Sequence, residues 1–230
     1  MEAKDVMTTR VITVTPDTRV EAIAKLLMDE RISGVPVVDS AGHLVGIVSE
    51  GDLMRRSESG TDRGASPWLS LLATPDESAR SYLKSHGHRA RDVMSTDVIS
   101  VDEHTPLSRV AQVLERHRIK RVPVLRNGAL VGIVSRANLL QGLVSHSPPT
   151  PSPDDRALRE RILDELRQAG LDSLPINVVV ANGRVNLWGI VGSEAQREAV
   201  RLAATEAAGV GCVDDHLSVV SVSLRSTWSR

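Results

Sequence analysis

An internal duplication constrains this chain more than any other feature of its sequence. Asp5-Val6-Met7 returns as Asp92-Val93-Met94, Arg31-Ile32 as Arg118-Ile119, and Val35-Pro36-Val37 as Val122-Pro123-Val124. Gly46-Ile47-Val48-Ser49 likewise returns as Gly132-Ile133-Val134-Ser135. The offset is 87 residues up to Asn127 and 86 from Gly128 onward, so the second copy is one residue shorter in a turn. A turn is where a duplicated unit tolerates such a loss, and a repeat of this length is one supersecondary unit used twice.

Each copy reads as short strand, amphipathic helix, two strands and second helix. Val20, Ile23, Ala24 and Leu27 fall at helical spacing, as do Leu107, Val110, Ala111 and Leu114. Thr18 with Glu21 forms a capping-box pattern, and Thr105 precedes Pro106, which suits a first helical turn. The apolar runs Val35–Val38 and Leu44–Val48 are joined by Asp39-Ser40-Ala41-Gly42, while Val122–Leu125 and Leu130–Val134 are joined by Arg126-Asn127-Gly128. The Asn-Gly pair accounts for the shorter second turn.

Composition sets the function classes. With 230 residues, 41% apolar and 25% charged, the chain can build ordinary cores, and its net charge of −1 gives no overall pull toward nucleic acid or anionic membranes. Aromatic residues are limited to Trp68, Trp188, Trp228 and Tyr82, so base stacking on an aromatic platform is not expected. Residues 1–16 hold Lys4 and Arg10 but no apolar run of signal-peptide length, and no segment reaches the roughly 18 apolar residues of a membrane span. Together with the lone Cys212, this leads to the expectation of a cytoplasmic protein. Gly-rich phosphate loops, metal-ligand spacings and a nucleophile beside a base are all missing, so no catalytic residue, metal site or obligatory cofactor is expected.

The paired Asp-Val-Met openings, Val-Pro-Val strands and Gly-Ile-Val-Ser-x-x-Asp/Asn-Leu endings resemble a tandem pair of CBS motifs, a Bateman module. The expected boundaries are 1–56 for the first motif, 57–91 for an insertion around Trp68 and Leu71-Leu72, and 92–146 for the second motif. The implied fold is mixed α+β and α/β, with βαββα repeats related by a pseudo-two-fold axis.

In each copy Ser49-Glu50-Gly51-Asp52 and Ser135-Arg136-Ala137-Asn138 run from strand into helix, with Ser at the N-cap and Asp or Asn at the third helical residue. Free amides there suit an anion, and a carboxylate or amide one turn in can hold a vicinal diol. The resemblance implies ribose at these corners and adenine between the first strand and the segment before Val-Pro. It thereby implicates Ile12, Thr13, Gly34, Val35, Ser49 and Asp52, and in the second copy Ile99, Ser100, Arg121, Val122, Ser135 and Asn138. The pair Lys120-Arg121 is similar to the basic pair in the nucleotide-sensing subunit of AMP-activated kinase, which implies a phosphate contact. The bland alternatives are that Ser-x-x-Asp only caps a helix and that Lys120 and Arg121 are a solvated rim. Disc-to-disc homodimers are also implied by the family.

Ser147-Pro148-Pro149-Thr150-Pro151-Ser152-Pro153 is expected to be an extended linker, 147–153, before a separate domain over 154–222. A helix starting at Asp154 or Asp155 carries Leu158, Ile162, Leu166 and Ala169 and stops at Gly170. Ile176, Val178 and Val180 alternate toward Asn182-Gly183, then Val185, Leu187 and Val191 alternate again, which predicts a hairpin. A helix from Ser193 with Ala199, Leu202 and Ala203, and a strand through Val213, Leu217 and Val219, complete αββαβ. This order, with Leu187-Trp188-Gly189-Ile190-Val191, resembles the BON domain. That family implies a phospholipid or other surface, with Arg184, Arg197 and Arg201 as the basic handles; an interaction module for a protein or small molecule is the reading that the net charge favours. Trp188 is read as core, with a ligand-facing role as the alternative.

The resulting expectation is a regulatory protein that binds AMP, ADP, ATP or a related adenosyl compound in the CBS clefts and signals through the BON domain. A scaffold with empty clefts is the alternative.

Overall fold

The computed structural model describes residues 1–54, 86–144, 152–208 and 212–220. Trp68, Leu71-Leu72, the segment Asp76–Lys84, whose sequence also predicts a helix, most of the Pro-rich linker, and Gly209, expected to end the last helix, lie outside the described residues. The described residues divide into two compact units. One contains the described part of Ile12–Ser100 and Arg126–Leu130; the other contains Met1–Val11, Val101–Leu125 and the described part of Val131–Arg230.

In the first unit, helix α2 (Val20–Asp29) packs beside the antiparallel pair β1 (Gly34–Val38) and β2 (Leu44–Ser49), followed by α3 (Glu50–Leu53) and α4 (Ala90–Val93). Its core is Val14, Val20, Ile23, Leu27, Val35, Val37, Val48, Ala90 and Val93. The expected first strand is a single parallel bridge, Val14 to Val37. Thr18 does not cap α2. Its hydroxyl accepts from the Thr15 amide at 3.0 Å, and Arg19 takes the N-cap position without a side-chain cap.

The second unit holds α1 (Ala3–Val6), β3 (Val101–Asp102), α5 (Leu107–Arg116), β4 (Arg121–Arg126), β5 (Ala129–Ser135) and α6 (Arg136–Val144). Its sheet has the order β3-β4-β5, with β3 parallel to β4. Val110 and Leu114 of α5 are buried as expected, whereas Ala111 is exposed. Pro106 is the N-cap of α5 rather than its first turn. Both first helices end alike: Arg31 and Arg118 take φ of 52° and 53°, and the amides of Ile32 and Ile119 reach back to Leu27 and Leu114. The repeated Arg-Ile is thus a helix terminator whose arginine stands in the left-handed region that glycine usually fills.

The openings pack away from the copy that follows them in sequence. Met7 lies over Gly132 and Thr8 bridges Ile133 in one unit, while Met94 lies over Gly46 and Ser95 bridges Ile47 in the other. A Cβ at either glycine would overlap the methionine side chain, which is a reason for Asp-Val-Met and Gly-Ile-Val-Ser to recur together.

The C-terminal domain shares the second unit. Helix α7 (Pro153–Gln168), strands β6 (Ile176–Ala181) and β7 (Arg184–Val191), helix α8 (Glu194–Ala208) and strand β8 (Val213–Val219) give αββαβ. The helix begins at Pro153, one residue before the expected start. Ser152 caps it and Pro153 at N1 needs no amide donor, so these two residues belong to the helix start and not to an extended linker. The sheet order is β6-β7-β8, antiparallel then parallel, with α8 as the crossover. Asn182 and Gly183 take φ of 53° and 71°, the tight hairpin turn the pair predicts.

Leu158, Ile162, Leu166, Val178, Val180, Val185, Leu187 and Val191 form the core between helices and sheet. The helix faces differ in detail from expectation. Ala169 is an exposed C-cap, and α8 buries Val200, Ala203 and Ala204 while Leu202 is 57% exposed. Among the described residues no helix is long and apolar enough to cross a membrane.

The other face of this sheet is also covered, which simple alternation does not foretell. Val179 is fully buried and joins the core of the second CBS copy with Ala3, Val6 and Met7. Trp188 is half-buried, packs against the same cluster and stacks on His216 with ring centroids 3.9 Å apart. Trp188 thus packs at the edge of a core, as its core reading expects, and helps cover this face of the sheet.

Candidate functional site

Each strand-to-helix corner is built by its strand pairing. In the first copy the β1–β2 register sets Gly34 opposite Ser49 and Val35 opposite Val48. The Glu50 amide donates to the Ser33 carbonyl at 3.1 Å, fixing the chain before Gly34 beside the start of α3. Val14 pairs with Pro36 and Val38 through its amide and carbonyl, so Ile12 and Thr13 enter directly beside β1. Gly34 and Val35 are buried, Ile12, Ser49 and Asp52 are half-buried, and Thr13 is exposed.

The second copy repeats the construction. The Arg136 amide donates to the Lys120 carbonyl at 3.2 Å, and Val101 pairs with Val124. Val122 is buried, Arg121 and Ser135 are half-buried, and Lys120 and Arg136 are exposed. Ile99 and Ser100 belong to the other unit, and Ile99 is 37% exposed. The two corners differ in charge: Lys120, Arg121 and Arg136 flank the second, whereas Ser33, Gly34 and Glu50 stand at the matching places in the first. Guanidinium and ammonium groups at a helix start favour a phosphate.

Both Ser-x-x-Asp/Asn turns are closed capping boxes. Asp52 Oδ2 accepts from the Ser49 amide at 3.0 Å and hydroxyl at 2.6 Å. Asn138 Oδ1 accepts from the Ser135 amide at 2.8 Å and hydroxyl at 2.7 Å, and the Asn138 amide donates back to Ser135 Oγ at 3.3 Å. The capping role that sequence reasoning held as the alternative is therefore present at both corners.

Sequence reasoning missed the polar residues that tie the second corner to the C-terminal domain. Asn138 Nδ2 donates to Gln141 Oε1 at 3.3 Å and Thr8 Oγ1 at 3.5 Å. Asn177 on β6 donates to the same Gln141 oxygen at 2.8 Å and to the Val6 carbonyl at 3.0 Å. Arg159 of α7, 8% exposed, donates through Nε to the Val178 carbonyl and through Nη2 to the Met7 carbonyl, both at 2.8 Å. Burial pushes its guanidinium down to about 10, against the pull of Asp5. Arg156 donates to Asp5 and Glu2 at 2.9 and 3.0 Å, and the Asp5 contact raises its proton affinity. The available signal was an asparagine and a continuous apolar run, Asn177-Val178-Val179-Val180-Ala181, where a half-solvated strand would alternate.

The three basic handles on the C-terminal domain are engaged with acids. Arg184 pairs with Asp214 at 2.9 Å, Arg197 with Asp215 at 2.8 Å and Arg201 with Glu198 at 2.6 Å. His86 and His88 are exposed, and among the described residues no group of three metal-ligating side chains gathers.

Comparison with known proteins agrees with this architecture. The CBS domain model matches residues 3–59 and 90–145, and the BON domain model matches residues 154–221. The chain is similar to the chloroplastic CBS domain-containing protein CBSX1 of Arabidopsis thaliana, with 34% identity over 134 residues. That match covers 56% of this chain and 57% of the relative, so the chain spans little more than half of that protein. It is 31% identical over 159 residues to an uncharacterized protein of Methanocaldococcus jannaschii, covering 63% of this chain and 92% of that one. Among solved structures, CBSX2 in complex with AMP, from the same plant, is 29% identical with a TM-score of 0.54, covering 62% of this chain and 96% of that one. The duplicated corners, the opening segments and these matches together place the chain in the CBS-domain family, as a tandem CBS pair continued by a BON domain.

Proposed function

We propose that the chain is a regulatory sensor that binds an adenosine-containing nucleotide, AMP, ADP, ATP or a related adenosyl compound, at its CBS corners and reads it out through the BON domain. The observation that carries this reading is the second corner, where the Lys120–Arg136 backbone bond gathers three cations around a strand-to-helix turn. The likeness to CBSX2, solved with AMP, supports an adenosyl ligand. In this reading Ile12, Thr13, Gly34, Val35, Ser49 and Asp52 line the first cleft. Ile99, Ser100, Val122, Ser135 and Asn138 line the second, with Lys120 and Arg121 on the phosphate. The chain binds and signals and does not catalyse, and it works as a cytoplasmic homodimer through its CBS discs. The acid-paired arginines of the BON domain favour a protein partner over a phospholipid surface.

A second reading is favoured by the closed capping boxes: Ser49–Asp52 and Ser135–Asn138 serve only the fold, and the protein is a scaffold. Thermal unfolding with millimolar AMP, ATP or an adenosyl sulfonium separates the two. A ligand at one hundred times its dissociation constant adds about 2.7 kcal/mol. The sensor reading expects that gain in the parent and its loss in Asp52→Ala with Asn138→Ala. No gain with any of the three compounds leaves the scaffold.

A further inference from the structure

We propose that nucleotide occupancy of the second corner opposes docking of the BON domain, through a relay of Asn138, Gln141 and Asn177. The proposal rests on the ligand reading of Ser135–Asn138. The amide of Asn138 has four hydrogen-bonding positions, and all four are taken. Oδ1 holds the Ser135 amide and hydroxyl at 2.8 and 2.7 Å, and Nδ2 holds Gln141 and Thr8 at 3.3 and 3.5 Å. The side chain is buried. A ribose hydroxyl can engage Asn138 only by replacing one of these partners. The Oδ1 bonds are short and cap α6, so the two longer Nδ2 bonds yield.

Those two bonds lead to the BON domain. Gln141 Oε1 is shared between Asn138 and Asn177, and the second hydrogen of the Asn177 amide holds the Val6 carbonyl. Thr8 closes the same segment from the other side, and between them Met7 gives its carbonyl to Arg159 and its side chain to the space over Gly132. The opening segment Asp5–Thr8 is thus gripped by the BON domain and by the ligand corner at once. When Asn138 turns to a ribose, Gln141 is released from the corner and Thr8 loses a bond, which weakens the platform on which Asn177 and Arg159 sit. The repeat-mate of Asp5 has a different set of partners: Asp92 accepts the amides of His88 and Arg89 within its own helix start. Two sites that compete for one residue are coupled, and the coupling is reciprocal.

The full chain tests this with AMP as the probe, using calorimetry for binding and hydrogen exchange for docking. The expected result is that AMP binds the parent and speeds exchange in Ile176–Ala181 and Asp5–Thr8 severalfold. Gln141→Ala should bind AMP at least about fivefold more tightly, because the partner that competes with the ribose for Asn138 is gone, and exchange in Ile176–Ala181 should respond less to AMP than in the parent. Thr8→Val removes the other acceptor of the Asn138 amide and should tighten binding in the same direction; it carries the test alone if Gln141→Ala fails to fold. Saturating AMP that leaves parental exchange unchanged or slows it, or parental affinity in these variants, overturns the relay while the ligand reading stands. Absence of AMP binding in the calorimeter overturns both.

Discussion

The two CBS corners share a signature and differ in wiring. Ser49–Asp52 and Ser135–Asn138 close the same turn with nearly the same bonds, and Ser33 and Lys120 receive the same helix-start amide. The second corner adds three flanking cations and a buried asparagine amide that reaches Thr8, Gln141 and, through Gln141, the BON sheet. Duplication thus supplies the corner, and later divergence at a few polar positions decides what it is connected to.

The largest effect is expected where the wiring is buried. Arg159→Ala strands the carbonyls of Val178 and Met7 and should cost about 3 kcal/mol in denaturant unfolding. Asp92→Ala, which among the described residues removes the acceptor of two local helix-start amides, should cost about 1 kcal/mol. Equal costs would break the asymmetry. The shared part of the comparison is sharpened by Gly46→Ala and Gly132→Ala. Each drives a Cβ into a methionine side chain and should destabilise by about 2 kcal/mol, with partial recovery when Met94 or Met7 is shortened to Ala in the same chain. Unfolding experiments should next separate the caps themselves. Asp52→Ala loses about 1 kcal/mol, whereas Asn138→Ala loses about 2 because Gln141 and Thr8 lose a donor as well.

Acid gives the smallest and most selective contrast. Asp155 closes the matching box with Ser152 in the BON domain. Burial works against its charge, yet the amides of Gly183, Ser152 and Asn182 hold its carboxyl below the usual range. A lowered folded value means that this stabilisation is present above the unfolded carboxylate value, about 3.9, and is lost as pH falls through the folded one. Asp155→Asn should therefore flatten the acid limb of the stability curve. Asn138, already an amide, contributes nothing to that limb, so Asn138→Ala should leave its shape unchanged.

Much of this fold is legible in sequence because its signals are local. Asn182-Gly183 specifies a tight turn, Gly170 a helix stop and Ser-x-x-Asp a corner, and each works over a few residues whatever lies nearby. The repeat added the long-range part, since two copies of one unit must form similar cores. What could not be read was partnership across sequence distance. Nothing in Asp5-Val6-Met7 says that its carbonyls will be bound by Arg159 and Asn177, more than 150 residues away. The helix faces of α5 and α8 were misjudged at Ala111 and Leu202 because alanine and leucine carry similar weight in a periodicity, while the packed neighbours choose the phase. At the candidate site, position and residue type were legible, but the commitment of the Asn138 side chain to four hydrogen bonds with three residues was not.

The most direct test of the account is a calorimetric titration of AMP into the full chain, run on the parent and on the double variant Asp52→Ala, Asn138→Ala. The account predicts saturable heat in the parent and none in the folded double variant. A parent that gives no saturable heat, or a double variant that binds as the parent does, would contradict it.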